Sequence, residues 1–371
     1  MNISFSSEQE ILRKSVAEFL SKECPGEKVR DIEDSVEGYS AKQWKKIAKL
    51  GWMEVILPEV YGGFDDPFMN IIIIMEEIGK AAFPSPFFST VILGGYTILE
   101  GGSENQKKDL LKKMAEGKLL LSLAQHEDDP GYLEAAINMQ ATLSGDEYVL
   151  NGTKMFVMDA NIADKLIVAA KTDEGTTLLL VDAKAPGITC TIIPSIGMDN
   201  CCEVIFADVK VPVKDTIGEP GKGWEILEKV MLKASIAKSA EMVGGCKASI
   251  DLTAFYAKNR VQYGQPIGGY QAIQHYMADM LMYYDISSNY LYKVAWMIDE
   301  GMDCSTEASA LKAQVNEYYK FISERGVQIH GGVGTSREFD IGLYYRRAKA
   351  FEYTCGDSDH HIELVAKAIG L

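Results

Sequence analysis

The chain has 371 residues, 47% of them apolar and 24% charged, which is ample for a large core in two or three packed units and leaves nothing that reads as disordered. Its formal net charge is −16, and no dense Lys/Arg run offsets it, which argues against a nucleic-acid-binding surface.

At the start of the chain, Met1–Glu10 is polar and has no apolar h-region. The longest apolar runs, such as Ile71–Met75, are far too short to cross a membrane, so a cytoplasmic enzyme is expected. From 1 to 118 the periodicity is helical: Ile11, Val16, Phe19 and Leu20 recur at helix spacing, as do Trp44, Ile47, Ala48 and Leu50. Leu57–Gly63 reads as a loop and Ile71–Ala82 as a buried helix. Pro84 and Pro86 then interrupt the chain before another helical stretch.

From 119 to 222 the pattern is β. Ser144-Gly145-Asp146-Glu147 marks a turn between two strands, and Lys165–Ala170, Thr177–Val181, Thr189–Ile193 and Cys202–Phe206 follow at short spacing. Such spacing predicts a small barrel or sandwich. From 223 to 371 long helical patterns return over Gly223–Tyr256, Tyr270–Glu300 and Ser305–Gln328, each long enough for a bundle helix. The cysteines Cys24, Cys190, Cys201, Cys202, Cys246, Cys304 and Cys355 are scattered, and no histidine pairs with them at ligand spacing. Free thiols and no metal site are expected.

Several motifs run through these zones in order. They are Phe5-Ser6-Ser7-Glu8-Gln9, Leu57–Gly63, Tyr148–Lys154, Asp208–Pro212, Gly218–Trp224, Arg260-Val261-Gln262-Tyr263-Gly264-Gln265-Pro266-Ile267 and Val327–Gly334. In order and spacing the chain resembles the acyl-CoA dehydrogenase family over essentially its whole length. The resemblance implies a mixed α and β fold, with an N-terminal helical domain (1–118), a middle β-barrel or sandwich domain (119–222) and a C-terminal four-helix bundle (223–371). It also implies FAD as cofactor and an acyl-CoA thioester as substrate.

By the same resemblance, Arg260 reaches the FAD pyrophosphate of a neighbouring subunit, with Tyr263 beside it and Gln271 near the adenosine half. Gln328, Gly331 and Gly332 lie where backbone N–H groups approach the nucleotide, an approach that glycine permits. Ala124-Gln125-His126-Glu127 matches the strand end at the pyrimidine side of the flavin. Phe156-Val157-Met158 matches the stretch against the flavin face. Two hydroxyl residues of the usual pattern are replaced here, by His126 and Met158. Asp357 and Asp359 match positions that contact FAD. On the substrate side, Tyr132 of Asp128-Asp129-Pro130-Gly131-Tyr132 stands where the family often has serine, and Ser235 where it often has arginine.

The family's reaction takes a proton from Cα and a hydride from Cβ, and the usual base is a glutamate six residues beyond the lysine of Arg-Asp-Ala-Lys. Here Arg346-Arg347-Ala348-Lys349 leads to Cys355, followed by Gly356. The rival placement, on Phe351-Glu352-Tyr353-Thr354, requires a deletion and loses the glycine. The alternative base position on the first long C-terminal helix is Ala234. Cys355 is thus the residue at the catalytic position, and an ordinary thiol titrates too high for a base at neutral pH. Its replacement by Ala is expected to keep flavin binding and most turnover.

The reading that follows is FAD-dependent α,β-dehydrogenation of an acyl-CoA, whether cyclic, branched or dicarboxylic, with electrons passed to an electron-transfer flavoprotein. The alternative is a non-catalytic or half-catalytic subunit. The assembly expected is a homo-tetramer, or a hetero-tetramer with an unlike family subunit.

Overall fold

A computed structural model describes residues 4–129 and 131–371; Met1–Ile3 of the polar start and Pro130 of the Asp128–Tyr132 stretch lie outside the described residues. The first helix, α1 (Ser7–Glu23), opens with a reciprocal cap. Ser6 Oγ accepts the Gln9 N–H at 3.2 Å, and Gln9 Oε1 accepts the Ser6 N–H at 2.9 Å. Next come α2 (Gly26–Glu33), α3 (Ala41–Lys49) and α4 (Phe68–Lys80). Past Pro84 and Pro86 the chain is helical again, but Phe88–Gly95 is wound as a π-helix before α5 (Tyr96–Gly101). A second π segment, Lys107–Leu111, separates α6 (Glu104–Gln106) from α7 (Lys112–Ala115).

Eight strands follow: β1 (Leu121–Ala124), β2 (Gln140–Ser144), β3 (Glu147–Met158), β4 (Lys165–Thr172), β5 (Gly175–Asp182), β6 (Ile188–Ile192), β7 (Cys201–Pro212) and β8 (Thr216–Ile217). They form one sheet in the order β6-β7-β3-β2-β4-β5-β8, with β1 parallel to β4. The turn at Gly145-Asp146 pairs Ser144 with Glu147, and Gly145 takes φ 68° there. Strands β4 and β5 divide two cores by their period of two. Leu166, Val168 and Leu179 face the interior of the sheet domain, whereas Ile167, Ala169 and Leu178 join the helical core.

The last region has α8 (Gly223–Asn259), a hairpin of β9 (Val261–Gln262) and β10 (Gln265–Pro266), then α9 (Gln271–Asp299), α10 (Ser305–His330), α11 (Ile341–Phe351) and α12 (Ser358–Ala368). The helical regions at both ends of the chain share one core. Within it α4 is buried nearly all round, with Ile71, Ile72, Ile73 and Ile74 packed between α1 and α8.

Two glycines set the crossing of α4 and α8. A Cβ on Gly79 would collide with the Glu241 carbonyl, and one on Gly244 with the Glu76 carbonyl. Backbone therefore lies against backbone, which draws the middle of α8 against the segment that leads into the π-helix. Buried charges lock the surrounding pieces. Arg13 of α1 reaches Glu76 at 2.8 Å, and Glu33 of α2 receives Arg346 at 2.8 Å and Arg347 at 3.3 Å.

Candidate active site

Between α11 and α12 the chain makes a turn in which Cys355 takes φ 60° and Gly356 φ 106°, left-handed backbone that costs a non-glycine residue energy and so must be held from outside. Lys312, buried on α10, holds it. Its Nζ donates to the carbonyls of Phe351 (3.2 Å), Glu352 (3.3 Å) and Gly356 (3.1 Å), and to Asn316 Oδ1 (2.6 Å). Asn316 Nδ2 adds a bond to the Glu352 carbonyl at 3.2 Å. On the far side His361 Nε2 bonds the Cys355 carbonyl at 2.9 Å, and Tyr132 donates to the Tyr353 carbonyl at 3.3 Å.

Burial governs the titration of these groups. It draws the Lys312 ammonium down to about 7 and the His361 imidazole down to about 4. It pushes the Cys355 thiol up to about 11, with the ammonium groups of Lys312 and Lys238 pulling the other way. At neutral pH the thiol keeps its proton and offers no base. The carboxylates nearby are engaged elsewhere or exposed. Glu352 lies 4.0 Å from Lys320, Asp357 caps α12 by accepting the His360 N–H at 2.8 Å, and Asp359 is exposed.

The strand ends meet this turn from the sheet side. Ala124 is buried at the end of β1, and the half-buried His126 ring packs edge-on against Tyr132, which in turn packs on His360. Burial, with Lys154 nearby, lowers the His126 pKa. Lys154, wholly buried on β3, pairs with Glu127 at 2.7 Å, and Glu127 accepts the N–H groups of Asn138 and Met139, each at 3.0 Å. These bonds fix the loop after β1. Val157 points into the sheet-domain core and leaves only its backbone for a ligand, whereas Phe156 is 57% exposed and Met158 half-buried.

Two charged residues here escaped the sequence reading. Asp159 directly follows Met158; Ser89 Oγ donates to it at 2.5 Å, and burial pushes its carboxyl up to about 6. Lys238 on α8 pairs with Glu241 at 2.5 Å, its Nζ 3.9 Å from the centre of the Phe88 ring and 4.2 Å from that of Phe351. The signal was present in the sequence. Lys238 is a charge in a run of small and apolar residues from Ala234 to Gly245, one turn beyond Ala234.

A separate group gathers at one end of the helical bundle. Tyr256 of α8 stacks on His330 of α10 at 4.2 Å, and Arg325 of α10 lies over Tyr276 of α9 at 4.7 Å. The ends of α8 and α10 and the start of α9 thereby come together. Arg260, Tyr263, Gln271, Gln328, Gly331 and Gly332 are placed there, and all are exposed, Tyr263 to 95%. Among the described residues the Arg260 guanidinium has no hydrogen-bond or ion-pair partner. Arg13, Arg30, Arg337, Arg346 and Arg347 all have carboxylates. A Cβ built on Gly331 or Gly332 meets nothing within 4 Å, so the backbone there is open to approach. An unpaired guanidinium beside accessible backbone suits a pyrophosphate, so these residues fit a dinucleotide such as FAD. All seven thiols are free, and among the described residues no group of three or more His, Cys, Asp or Glu could hold a metal. No helix there is long and apolar enough to cross a membrane.

Three family models match the chain in succession: the acyl-CoA dehydrogenase N-terminal domain over residues 6–118, the middle domain over 122–209 and the C-terminal domain over 221–370. These matches define a flavoprotein dehydrogenase architecture. The chain belongs to the acyl-CoA dehydrogenase family, FAD-dependent oxidoreductases that act on CH–CH groups. It is 31% identical over 380 residues to probable acyl-CoA dehydrogenase YngJ of Bacillus subtilis, with 100% of each chain covered. It is 30% identical over 364 residues to the caffeyl-CoA reductase-Etf complex subunit CarC of Acetobacterium woodii, covering 95% of this chain and 96% of that one. Butyryl-CoA dehydrogenase from Megasphaera elsdenii superposes with a TM-score of 0.92 at 27% identity, over 100% of both chains.

Proposed function

We propose that this chain binds FAD and catalyses oxidation, or in reverse reduction, of the α,β bond of an acyl-CoA thioester, as a cytoplasmic tetramer exchanging electrons with an electron-transfer flavoprotein. The observation that carries this reading is the pairing of an exposed, unpartnered Arg260 beside open glycine backbone with an interior turn held rigid under the β1 and β3 strand ends. When bound, FAD supplies the acceptor for the hydride that leaves Cβ.

Each group has its place in that reading. Arg260, Gln328, Gly331 and Gly332 face outward, as groups that complete a neighbouring subunit's dinucleotide site would, with Tyr263 and Gln271 beside them. Ala124, His126, Phe156 and Met158 frame the ring, and Val157 contributes backbone only. The Cys355 N–H holds the thioester oxygen in a geometry set by Lys312 and His361, which favours loss of the α-proton. Cys355 does not receive that proton, because its thiol stays protonated; in this reading the base that takes it is a carboxylate other than this residue. Asp357 acts on FAD through the helix it caps rather than by a free carboxylate.

The carboxylates of Glu352 and Asp357 are already engaged, and this favours a second reading. In it the chain is the half-catalytic member of a hetero-tetramer and completes the site of an unlike family subunit. One experiment separates the two. The purified flavoprotein is mixed anaerobically with a panel of acyl-CoAs, alone and after co-expression with an unlike subunit. Bleaching by the chain alone supports the first reading, bleaching only of the co-expressed complex supports the second, and no bleaching in either sinks both.

A further inference from the structure

Between the Phe83–Ser89 segment, the Lys238–Glu241 turn of α8 and the end of α11 lies a cavity of about 90 Å³ that reaches Met158 on β3. Phe351, on the helix that runs into the Cys355 turn, forms part of its wall, and Lys238 is near enough to the Cys355 thiol to ease the loss of its proton. If a thioester is held at Cys355, which rests on the acyl-CoA reading above, this cavity receives the far end of the acyl group.

The walls are charged, and each of the two cations is paired with a carboxylate. Lys238 has Glu241 at 2.5 Å, Arg347 has Glu33 at 3.3 Å, and Asp159 accepts from Ser89. What Lys238, Arg347 and Ser85 lack is a further acceptor. Among the described residues the Lys238 ammonium makes one hydrogen bond with its three N–H groups, and its other near neighbours are the rings of Phe88 and Phe351. The buried Arg347 Nε and Ser85 Oγ have no partner at all. An alkyl chain end would leave every one of these donors unmet. A carboxylate would meet them, but would add an unmatched negative charge beside Asp159, Asp199 and Glu241, which also line the space.

We propose that the acyl group taken by this chain ends in a neutral oxygen acceptor, an oxo, hydroxy or amide oxygen a few carbons beyond the thioester, received by Lys238 with Arg347 and Ser85. Lys238 is then a specificity residue, not a catalytic one. The energetic logic is that of a buried polar site, which rejects an analogue lacking the group it was built to bond.

Three near-isosteric probes test this on the flavin-loaded protein: 5-oxohexanoyl-CoA, 5-methylhexanoyl-CoA and glutaryl-CoA, with butyryl-CoA as a short control. Dissociation constants are read from calorimetry and from the flavin spectrum. The oxo compound is expected to bind about tenfold or more tighter than the methyl compound, the usual worth of a hydrogen bond from a charged donor. The double variant Lys238→Met, Glu241→Gln keeps the site neutral and should erase that preference with little change for the methyl compound. Lys238→Arg, which keeps a donor and guards against misfolding of the double variant, should retain part of it. Equal or tighter binding of the methyl compound, a preference for glutaryl-CoA, or an oxo preference that survives the double variant each overturns the proposal. Binding of butyryl-CoA without any oxo preference overturns the pocket assignment alone. Failure of every acyl-CoA to bind overturns the acyl-CoA reading together with it.

Discussion

The end of the bundle at Arg260 and the interior at Cys355 are built on opposite principles. At the bundle end the charged group has no partner, the glycines face open space and the aromatic ring of Tyr263 stands in solvent. Around Cys355 one buried ammonium satisfies three carbonyls and an amide oxygen, a histidine holds a fourth carbonyl and a tyrosine a fifth. The first arrangement is unfinished without a second molecule. The second ties its carbonyls up within the chain, with His361 Nδ1 left over, and preserves a backbone shape. The contrast teaches that the same fold can keep affinity in groups left unpaired and geometry in groups left no freedom.

Breaking the interior should cost the most. Lys312→Met strips the donor from the Gly356 carbonyl and from Asn316 Oδ1, whereas the Glu352 carbonyl keeps Asn316 Nδ2 and the Phe351 carbonyl keeps the Thr354 N–H. With about 1–3 kcal/mol for each buried group left unmet, a loss of at least about 2 kcal/mol is expected. The urea midpoint of the purified protein checks this, and an unchanged midpoint would show that Lys312 clamps nothing. Breaking the bundle end should spare the fold and strike binding instead. Arg260→Ala is expected to weaken FAD affinity about tenfold or more, with a matching loss of oligomer mass on dilution. Gel filtration with absorbance reads both, and full flavin with unchanged mass would make Arg260 a plain surface charge.

The smallest effect sharpens the contrast through pH. His361 is buried and neutral, with its folded pKa lowered to about 4 against an ordinary value of about 6.5. Its contribution is fully present above pH 6.5 and is lost as the pH falls toward 4. About 2 kcal/mol should disappear between pH 7 and pH 5. Thermal melts of the wild type and of His361→Gln check this. The variant should lose less on acidification, and an equal loss would place the acid sensitivity elsewhere.

Most of the elements could be read from the sequence because they rest on local signals. The helix α8 announced itself by an uninterrupted pattern over Gly223–Tyr256, ending a little short of its last residue Asn259, and the hairpin at Gly145 by its turn residues. The exposure of Arg260 and the Gly331-Gly332 pair agrees with motif residues whose identity depends little on packing. Lys312 was not legible. A lysine on a patterned helix reads as a solvated face, and only the tertiary arrangement of α10 against the Cys355 turn shows it buried. Asp159 was hidden for the same reason, since Ser89 meets it from another element, whereas Lys238 had a local signal that was passed over, its i+3 partner Glu241 on the same helix. The carboxyl of Asp357 was not legible as a helix cap, because that role depends on where α12 begins.

The π-wound segment Phe88–Gly95 carries a consequence for how this pocket can change over generations. A π-turn holds one residue more than an α-turn, so the stretch is defined by its length as much as by its composition. Removing a single residue from it would restore ordinary α winding and swing Phe88 and Ser89 by about 100° around the axis relative to the residues after the lost one. Lys238 would lose one of its two rings and Asp159 its hydroxyl in one event. Point substitutions would trim the cavity by increments, whereas a one-codon deletion would exchange the whole wall. Divergence of acyl preference along this lineage should therefore leave its trace in gaps at this segment more than in replaced side chains.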